Sequence, residues 1–207
     1  MATRRSKTKQ WVRRQAADPY VKQREAAGLR SRAAFKLKEI LARDRLLKQG
    51  STVVDFGASP GGWSQVAAAA VGRGGKVVAV DLLPMEPLDG VEFIHGDARD
   101  PAIIARMREA LGDRGVDLVI SDIAPNITGI RDLDEANFLE LAENVRSFVE
   151  QVLGTNGALV IKLFQFPGTD DYIRDLKTIF GSVARRKPDS SRKASREFYV
   201  VATGFRI

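Results

Sequence analysis

From about residue 52 onward, short apolar runs alternate with longer stretches in which apolar positions recur every three or four residues. The runs at about 52–56, 76–81, 91–97, 117–122 and 157–164 predict strands, because each is short, rich in β-branched residues and bounded by glycine or acidic residues. The stretches between them predict helices. One at about 62–72 is marked by Val66, Ala67, Ala70 and Val71, and one at about 101–111 by Ile103, Ile104, Met107 and Leu111. Others follow at about 134–153, on Phe138, Leu141, Val145, Phe148 and Val152, and at about 169–180, on Ile173, Leu176 and Ile179. Ahead of the first strand, Ala34, Leu37, Ile40 and Leu41 predict a helix from Ser31 to about Leu47, with Gly50 as its stop. Two more strands, near 182–187 and 197–203, are joined by a turn too short for a crossover helix, so they must be antiparallel. The pattern is that of an α/β chain with a seven-stranded, mostly parallel sheet, an antiparallel last strand and helices on both faces.

The chemistry-bearing residues collect where these elements change. Val53-Val54-Asp55-Phe56-Gly57-Ala58-Ser59-Pro60-Gly61-Gly62-Trp63 reads as a strand, a tight turn and a helix start. Glycines at such a turn let the backbone approach a ligand, and the helix start offers free N–H groups. The spacing is neither the dinucleotide Gly-x-Gly-x-x-Gly pattern nor a phosphate-binding P-loop. Asp81 ends the second strand and is placed to accept hydrogen bonds from ribose hydroxyls; Asp97, after the third, suits an adenine amino group. Asp122 ends the fourth strand, at the edge where open α/β sheets hold their chemistry. Lys162 interrupts an almost continuous apolar strand, a costly position for a charge without a partner or a task. Because the last strand runs backwards, its first residue, Glu197, returns to the edge that carries Asp122 and Lys162. Lys36 lies one position off the apolar stripe of the first helix and joins them if that helix packs over this edge. Residues 127–133, with Gly129, are expected to form a mobile loop there.

Composition narrows the setting. A chain of 207 residues suits one domain, with residues 1–30 as a basic arm and 31–207 as the folded unit. There is no cysteine, the lone histidine, His95, has no ligand-type neighbours, and no apolar run is long enough to span a bilayer. A cytoplasmic protein without a metal is expected, and, with no apolar helix left over, a monomer. The net charge of +7 is unevenly spread: residues 1–30 hold nine cations against two acids, 31–50 six against two and 185–196 six against one, whereas 51–184 hold 11 against 20. Three basic segments on an acidic body are the footprint of a polyanion-binding face. With Trp11 and Tyr20 among its cations, the arm is suited to RNA phosphates and bases.

Several separated strings then resemble one family. They are Gly28-Leu29-Arg30-Ser31-Arg32-Ala33-Ala34-Phe35-Lys36-Leu37, Asp81-Leu82-Leu83-Pro84-Met85, Ser121-Asp122-Ile123-Ala124-Pro125-Asn126, and Arg186-Lys187-Pro188-Asp189-Ser190-Ser191-Arg192 with Ser195-Arg196-Glu197. In this order, over roughly residues 20–204, they are similar to the RrmJ/FtsJ family of ribosomal RNA 2′-O-ribose methyltransferases. The resemblance implies a Rossmann-like S-adenosylmethionine methyltransferase fold and a catalytic tetrad of Lys36, Asp122, Lys162 and Glu197. It places cofactor contacts at Gly61, Trp63, Asp81, Asp97 and Asp122. It also implies S-adenosyl-L-methionine as cofactor and, as substrate, a uridine in the A-loop of 23S ribosomal RNA within the large ribosomal subunit. In that chemistry Lys162 is the base, Asp122 orients it, and Lys36 and Glu197 position the 2′-hydroxyl. Desolvation and a neighbouring cation favour a neutral amine, whereas two carboxylates favour the ammonium, and the residues alone leave that balance open. Transfer RNA or messenger RNA caps as substrates, and a non-catalytic ribosome-assembly factor, are the alternatives. A base methyltransferase is disfavoured because Asp122-Ile123-Ala124-Pro125-Asn126 lacks an aromatic to stack on a flipped base.

Overall fold

The computed structural model describes residues 19–125, 128–192 and 195–206. Its strands are β1 (Thr52–Phe56), β2 (Lys76–Asp81), β3 (Val91–His95), β4 (Val116–Ser121), β5 (Leu153–Phe164), β6 (Phe180–Arg186) and β7 (Glu197–Phe205). The helices are α1 (Pro19–Ala26), α2 (Ala33–Asp44), α3 (Gly62–Val71), α4 (Pro101–Leu111), α5 (Arg131–Val152) and α6 (Thr169–Ile179). The seven strands form one sheet in the order β3-β2-β1-β4-β5-β7-β6. The first five are mutually parallel, and β7 runs antiparallel between β5 and β6.

Side-chain alternation along each strand divides the core in two. Val54, Phe56, Val78, Val80, Val119, Leu159 and Ile161 pack against α4, α5 and α6. Their neighbours Val53, Val77, Leu118, Ile120, Val160, Tyr199 and Val201 pack against α2 and α3. This division positions the site. Lys162 follows Ala158 and Val160 at period two, so it faces the α2 side of the sheet, and Tyr199 is its cross-strand partner.

Element boundaries depart from the pattern reading where local polar contacts intervene. Helix α2 ends at Asp44, well before Gly50, because Arg45 adopts a left-handed conformation (φ 51°) and its N–H closes on the Leu41 carbonyl. Helix α5 begins at Arg131, inside the expected loop. Asp134 takes the N–H and hydroxyl of Thr128 and the N–H of Gly129 on its carboxylate, which folds the preceding residues onto the helix start. Asn126 and Ile127, part of that loop, lie outside the described residues. Strand β5 starts four residues early, at Leu153, through a register shift against β4. Helix α1 was not anticipated in a segment without an apolar period; its Tyr20 ring lies 5.4 Å from that of Phe35 on α2. The remainder of the expected arm, residues 1–18, is outside the described residues. Among the described residues, no helix is long and apolar enough to cross a membrane.

Candidate active site

The carboxyl ends of β1, β2, β3 and β4 border a cleft of about 570 Å³, within the range that holds nucleoside-sized ligands. Gly57, Ser59, Asp81, Asp97 and Asp122 line it. At Gly57 the backbone is left-handed (φ 75°) and an added Cβ would stand 2.8 Å from the Ile123 Cβ, so only glycine lets the first and fourth strand ends come together here. Asp81 is held by the N–H groups of Ser59 and Leu83, each at 2.8 Å, one on each carboxylate oxygen. A carboxylate retains further acceptor capacity in that state. Asp97 is gripped by the Arg99 guanidinium, with Nη2 2.7 Å from Oδ2, and this pairing holds its carboxyl below the usual range.

Beneath the cleft, Asp55 is fully buried, with Ser64 donating to its Oδ2 at 2.6 Å. Its Oδ1 has no hydrogen-bond partner. Burial, against the relief from Ser64 and with the charges of Asp122 and Asp81 added, pushes its pKa up to about 7.

Next to Asp122 the cleft opens onto a line of polar side chains drawn from four elements. Lys36, from α2, donates to Glu197 Oε1 at 2.5 Å and to the Tyr199 hydroxyl at 3.1 Å. That hydroxyl donates to Asp122 Oδ1 at 2.9 Å. Lys162 Nζ lies 3.1 Å from the same Asp122 oxygen and also donates to the Asp122 backbone carbonyl. The order Glu197, Lys36, Tyr199, Asp122, Lys162 alternates acid and base around one phenol. Both lysines are nearly buried, at 8% exposure each, yet each has a carboxylate within reach. For Glu197, burial acts to raise the pKa, but the Lys36 hydrogen bond and the charges of Lys36, Lys162 and Lys187 outweigh it and hold the carboxyl below its ordinary value. Burial, then the charges of Asp122 and Glu197, raises the Tyr199 phenol, which therefore keeps its proton and stays a donor to Asp122.

The structure thus brings Lys36, Asp122, Lys162 and Glu197 together, and it places Asp81, Asp97 and Asp122 along the cleft. Gly61 and Trp63 are placed differently. Gly61 caps α3 with a left-handed backbone (φ 100°) and backs onto Arg30 and Met85. The Trp63 ring is buried, 5.5 Å from that of Tyr199, and its Nε1 donates to the Ala33 carbonyl, so neither residue lines the cleft. His95 lies outside the cleft, its Nε2 2.8 Å from the Leu82 carbonyl.

Tyr199 is the member that sequence reasoning missed. An available signal was its place two residues after Glu197, which at strand periodicity puts both on one face. Tyr199→Phe strips one acceptor from Lys36 and one donor from Asp122 in a buried setting. It is expected to lower the free energy of unfolding in urea by about 1–3 kcal/mol. An unshifted midpoint would mean that the hydroxyl stabilises nothing.

A basic rim borders this line. Arg32 donates to the Ser190 carbonyl at 2.6 Å, and Glu39 accepts the N–H groups of Asp189 and Ser190 at 2.6 and 3.1 Å, so the turn between β6 and β7 is tied to α2. Lys187 donates to the Ser195 and Glu197 carbonyls. Lys193 and Ala194, in the same turn, are outside the described residues.

Known proteins share both the sequence and the architecture. The ribosomal RNA large subunit methyltransferase E of Xanthomonas campestris pv. campestris (strain B100) is 50% identical over 206 residues, covering 100% of this chain and 98% of that protein. Its counterpart of the same description from Stenotrophomonas maltophilia (strain K279a) is 48% identical over 206 residues with the same coverage. Among solved structures, a ribosomal RNA methyltransferase from Plasmodium falciparum superposes with a TM-score of 0.77 at 30% identity, covering 85% of this chain and 98% of that one. The FtsJ-like methyltransferase family matches residues 29–205, which takes in the cleft, the polar line and every strand of the sheet. On that extent of agreement, the chain belongs to the FtsJ-like methyltransferase family.

Proposed function

We propose that this protein uses S-adenosyl-L-methionine to methylate the ribose 2′-hydroxyl of a uridine in the A-loop of 23S ribosomal RNA. It acts late, on the assembled large subunit in the cytoplasm, as a monomer. The names of its relatives support the RNA class. The observation that carries the chemistry is the pair of lysine–carboxylate contacts bridged by Tyr199 at the mouth of a nucleoside-sized cleft.

The cleft fits the cofactor: Asp97 and Asp81 present carboxylates at the ends of adjacent strands, and Asp122 sits where the cleft meets the polar line. When bound, the cofactor supplies a methyl group already activated by the positive charge on its sulfur. The protein's own residues must align the ribose oxygen and take its proton. To take the proton Lys162 has to react as the amine, whose two N–H bonds can rest on the Oδ1 and carbonyl oxygens of Asp122 and leave the lone pair for the hydroxyl proton. Asp122 thereby fixes the direction of that lone pair. The Lys36 ammonium spends two donors on Glu197 and Tyr199 and has a third to orient the ribose oxygen. Glu197, held as a carboxylate, keeps Lys36 in place. The basic rim and the arm of residues 1–30, which we read as a separate RNA-contacting segment ahead of the methyltransferase domain 31–207, engage phosphates.

The test supplies radiolabelled cofactor with large subunits from a methylation-deficient strain and from an untreated one, then maps the labelled nucleotide. Label on one ribose of the deficient subunits alone is expected. Label on a base, on transfer RNA in place of subunits, or no transfer at all would overturn the proposal.

A further inference from the structure

The segment 28–32, between α1 and α2, crosses the outer side of the glycine turn. Gln65 on α3 ties it down twice, accepting the Arg30 N–H at 3.1 Å and donating to the Gly28 carbonyl at 2.9 Å. An added Cβ on Gly61 would stand 3.0 Å from Arg30 Nη1, and one on Gly62 would stand 2.1 Å from Ser31 Oγ. These two glycines therefore make room for the protein's own chain and not only for a ligand.

The Arg30 guanidinium uses this proximity to join two parts of the cleft wall. It donates to the Glu86 carbonyl at 2.6 Å, to the Pro87 carbonyl at 2.5 Å and, on the turn itself, to the Pro60 carbonyl at 3.4 Å. The turn carries Ser59 and the segment after β2 carries Leu83, whose N–H groups together hold both oxygens of Asp81. Ser59 Oγ also donates to the Pro84 carbonyl at 3.1 Å. Fixing the separation of the two segments fixes the posture of Asp81. Backbone carbonyls of two segments, fanned around one planar group, suit a guanidinium and not the point charge of an ammonium.

We infer that Arg30 is a positioning residue for the cofactor, acting through Asp81, and not one of the cations that bind RNA. The inference rests on the reading of the cleft given above.

The experiment measures binding of S-adenosylhomocysteine by calorimetry, and binding of isolated large ribosomal subunits over a salt series, for the full-length wild type, Arg30→Ala, Arg30→Lys and Gln65→Leu. Hydrogen bonds from a charged donor are strong enough that Arg30→Ala should weaken S-adenosylhomocysteine about tenfold or more. Arg30→Lys should recover only part of that loss. Gln65→Leu, which frees the strap without touching the guanidinium, should weaken it in the same direction. Subunit affinity should keep its dependence on salt, whereas loss of a phosphate contact would lower the slope by about one.

Unchanged S-adenosylhomocysteine binding in the Arg30 variants, with a reduced salt slope, would make Arg30 an RNA contact and overturn the inference. If Arg30→Ala does not fold, wild-type-like binding by both Arg30→Lys and Gln65→Leu overturns it equally. Failure of the wild type itself to bind S-adenosylhomocysteine is a separate result, which removes the cofactor reading of the cleft and this inference with it.

Discussion

Lys162→Met is expected to lower the rate of methyl transfer by about 10²–10⁴-fold, the range spanned by a positioned general base, while leaving cofactor affinity close to that of the wild type. The substitution keeps the length and apolar stem of the side chain, which is packed within a buried stretch of β5, and removes only the amine. Asp122 then loses one partner but keeps the Tyr199 hydroxyl, so the acid does not become an unpartnered charge. Single-turnover transfer to subunits, set beside calorimetric binding of S-adenosylhomocysteine, separates the two quantities. A variant that turns over at the wild-type rate would remove Lys162 from the chemistry and leave the tetrad a structural ion-pair cluster. Lys36→Met is expected to act differently, since it frees Glu197 from its nearest cation and disturbs substrate alignment more than proton removal.

The second large effect concerns stability and not turnover. The Asp55 carboxyl has a pKa of about 7 in the folded chain against an ordinary 3.8, so between those values the folded state holds a proton that the unfolded state has released. Stability contributed by this group therefore falls as pH rises from about 4 to about 7 and is level above that, a total of about 4 kcal/mol at about 1.4 kcal/mol per unit. Asp55→Asn carries no charge and still accepts the Ser64 hydroxyl, so urea unfolding of the variant should lack this decline. The readout is the difference between wild type and variant at pH 5 and pH 7. Glu197 does not confuse the comparison. Its folded pKa is depressed, so the stability it contributes is complete above its unfolded value of about 4.5 and is lost only as pH falls below that. Parallel pH profiles for wild type and Asp55→Asn would show that the buried carboxyl is not the source.

Most of the sheet was legible because period-two and period-three-to-four patterns are written in side chains that the core actually buries. Strands β1 and β2 and helix α4 fall where the apolar positions put them. The convergence of Asp122, Lys162 and Glu197 was legible for a topological reason: a reversed last strand returns its start to the edge where the parallel strands end. What the sequence concealed depended on polar contacts between distant segments. Nothing in the local pattern marks Arg45 as the end of α2, or Asp134 as the residue that draws Thr128 and Gly129 onto α5. Tyr199 was hidden for the opposite reason, since an aromatic residue in a buried strand reads as core and its ring does pack there. Only its hydroxyl belongs to the site. Likewise Trp63, read at the cofactor turn, spends its ring on the interior and its Nε1 on Ala33.

Placing β7 between β5 and β6 has a consequence for how the molecule comes into being. Residues Glu197–Phe205 fill the gap in the middle of that half of the sheet, and they follow both strands they join in the chain. A nascent chain that stops short of them leaves β5 and β6 each with an open hydrogen-bonding edge, the condition that invites intermolecular pairing. It also lacks Glu197 and Tyr199, so Lys36 sits without either of the hydrogen-bond partners described above. Docking of β7 closes the sheet and completes the polar line in one event, so a chain cut ahead of it forfeits both together.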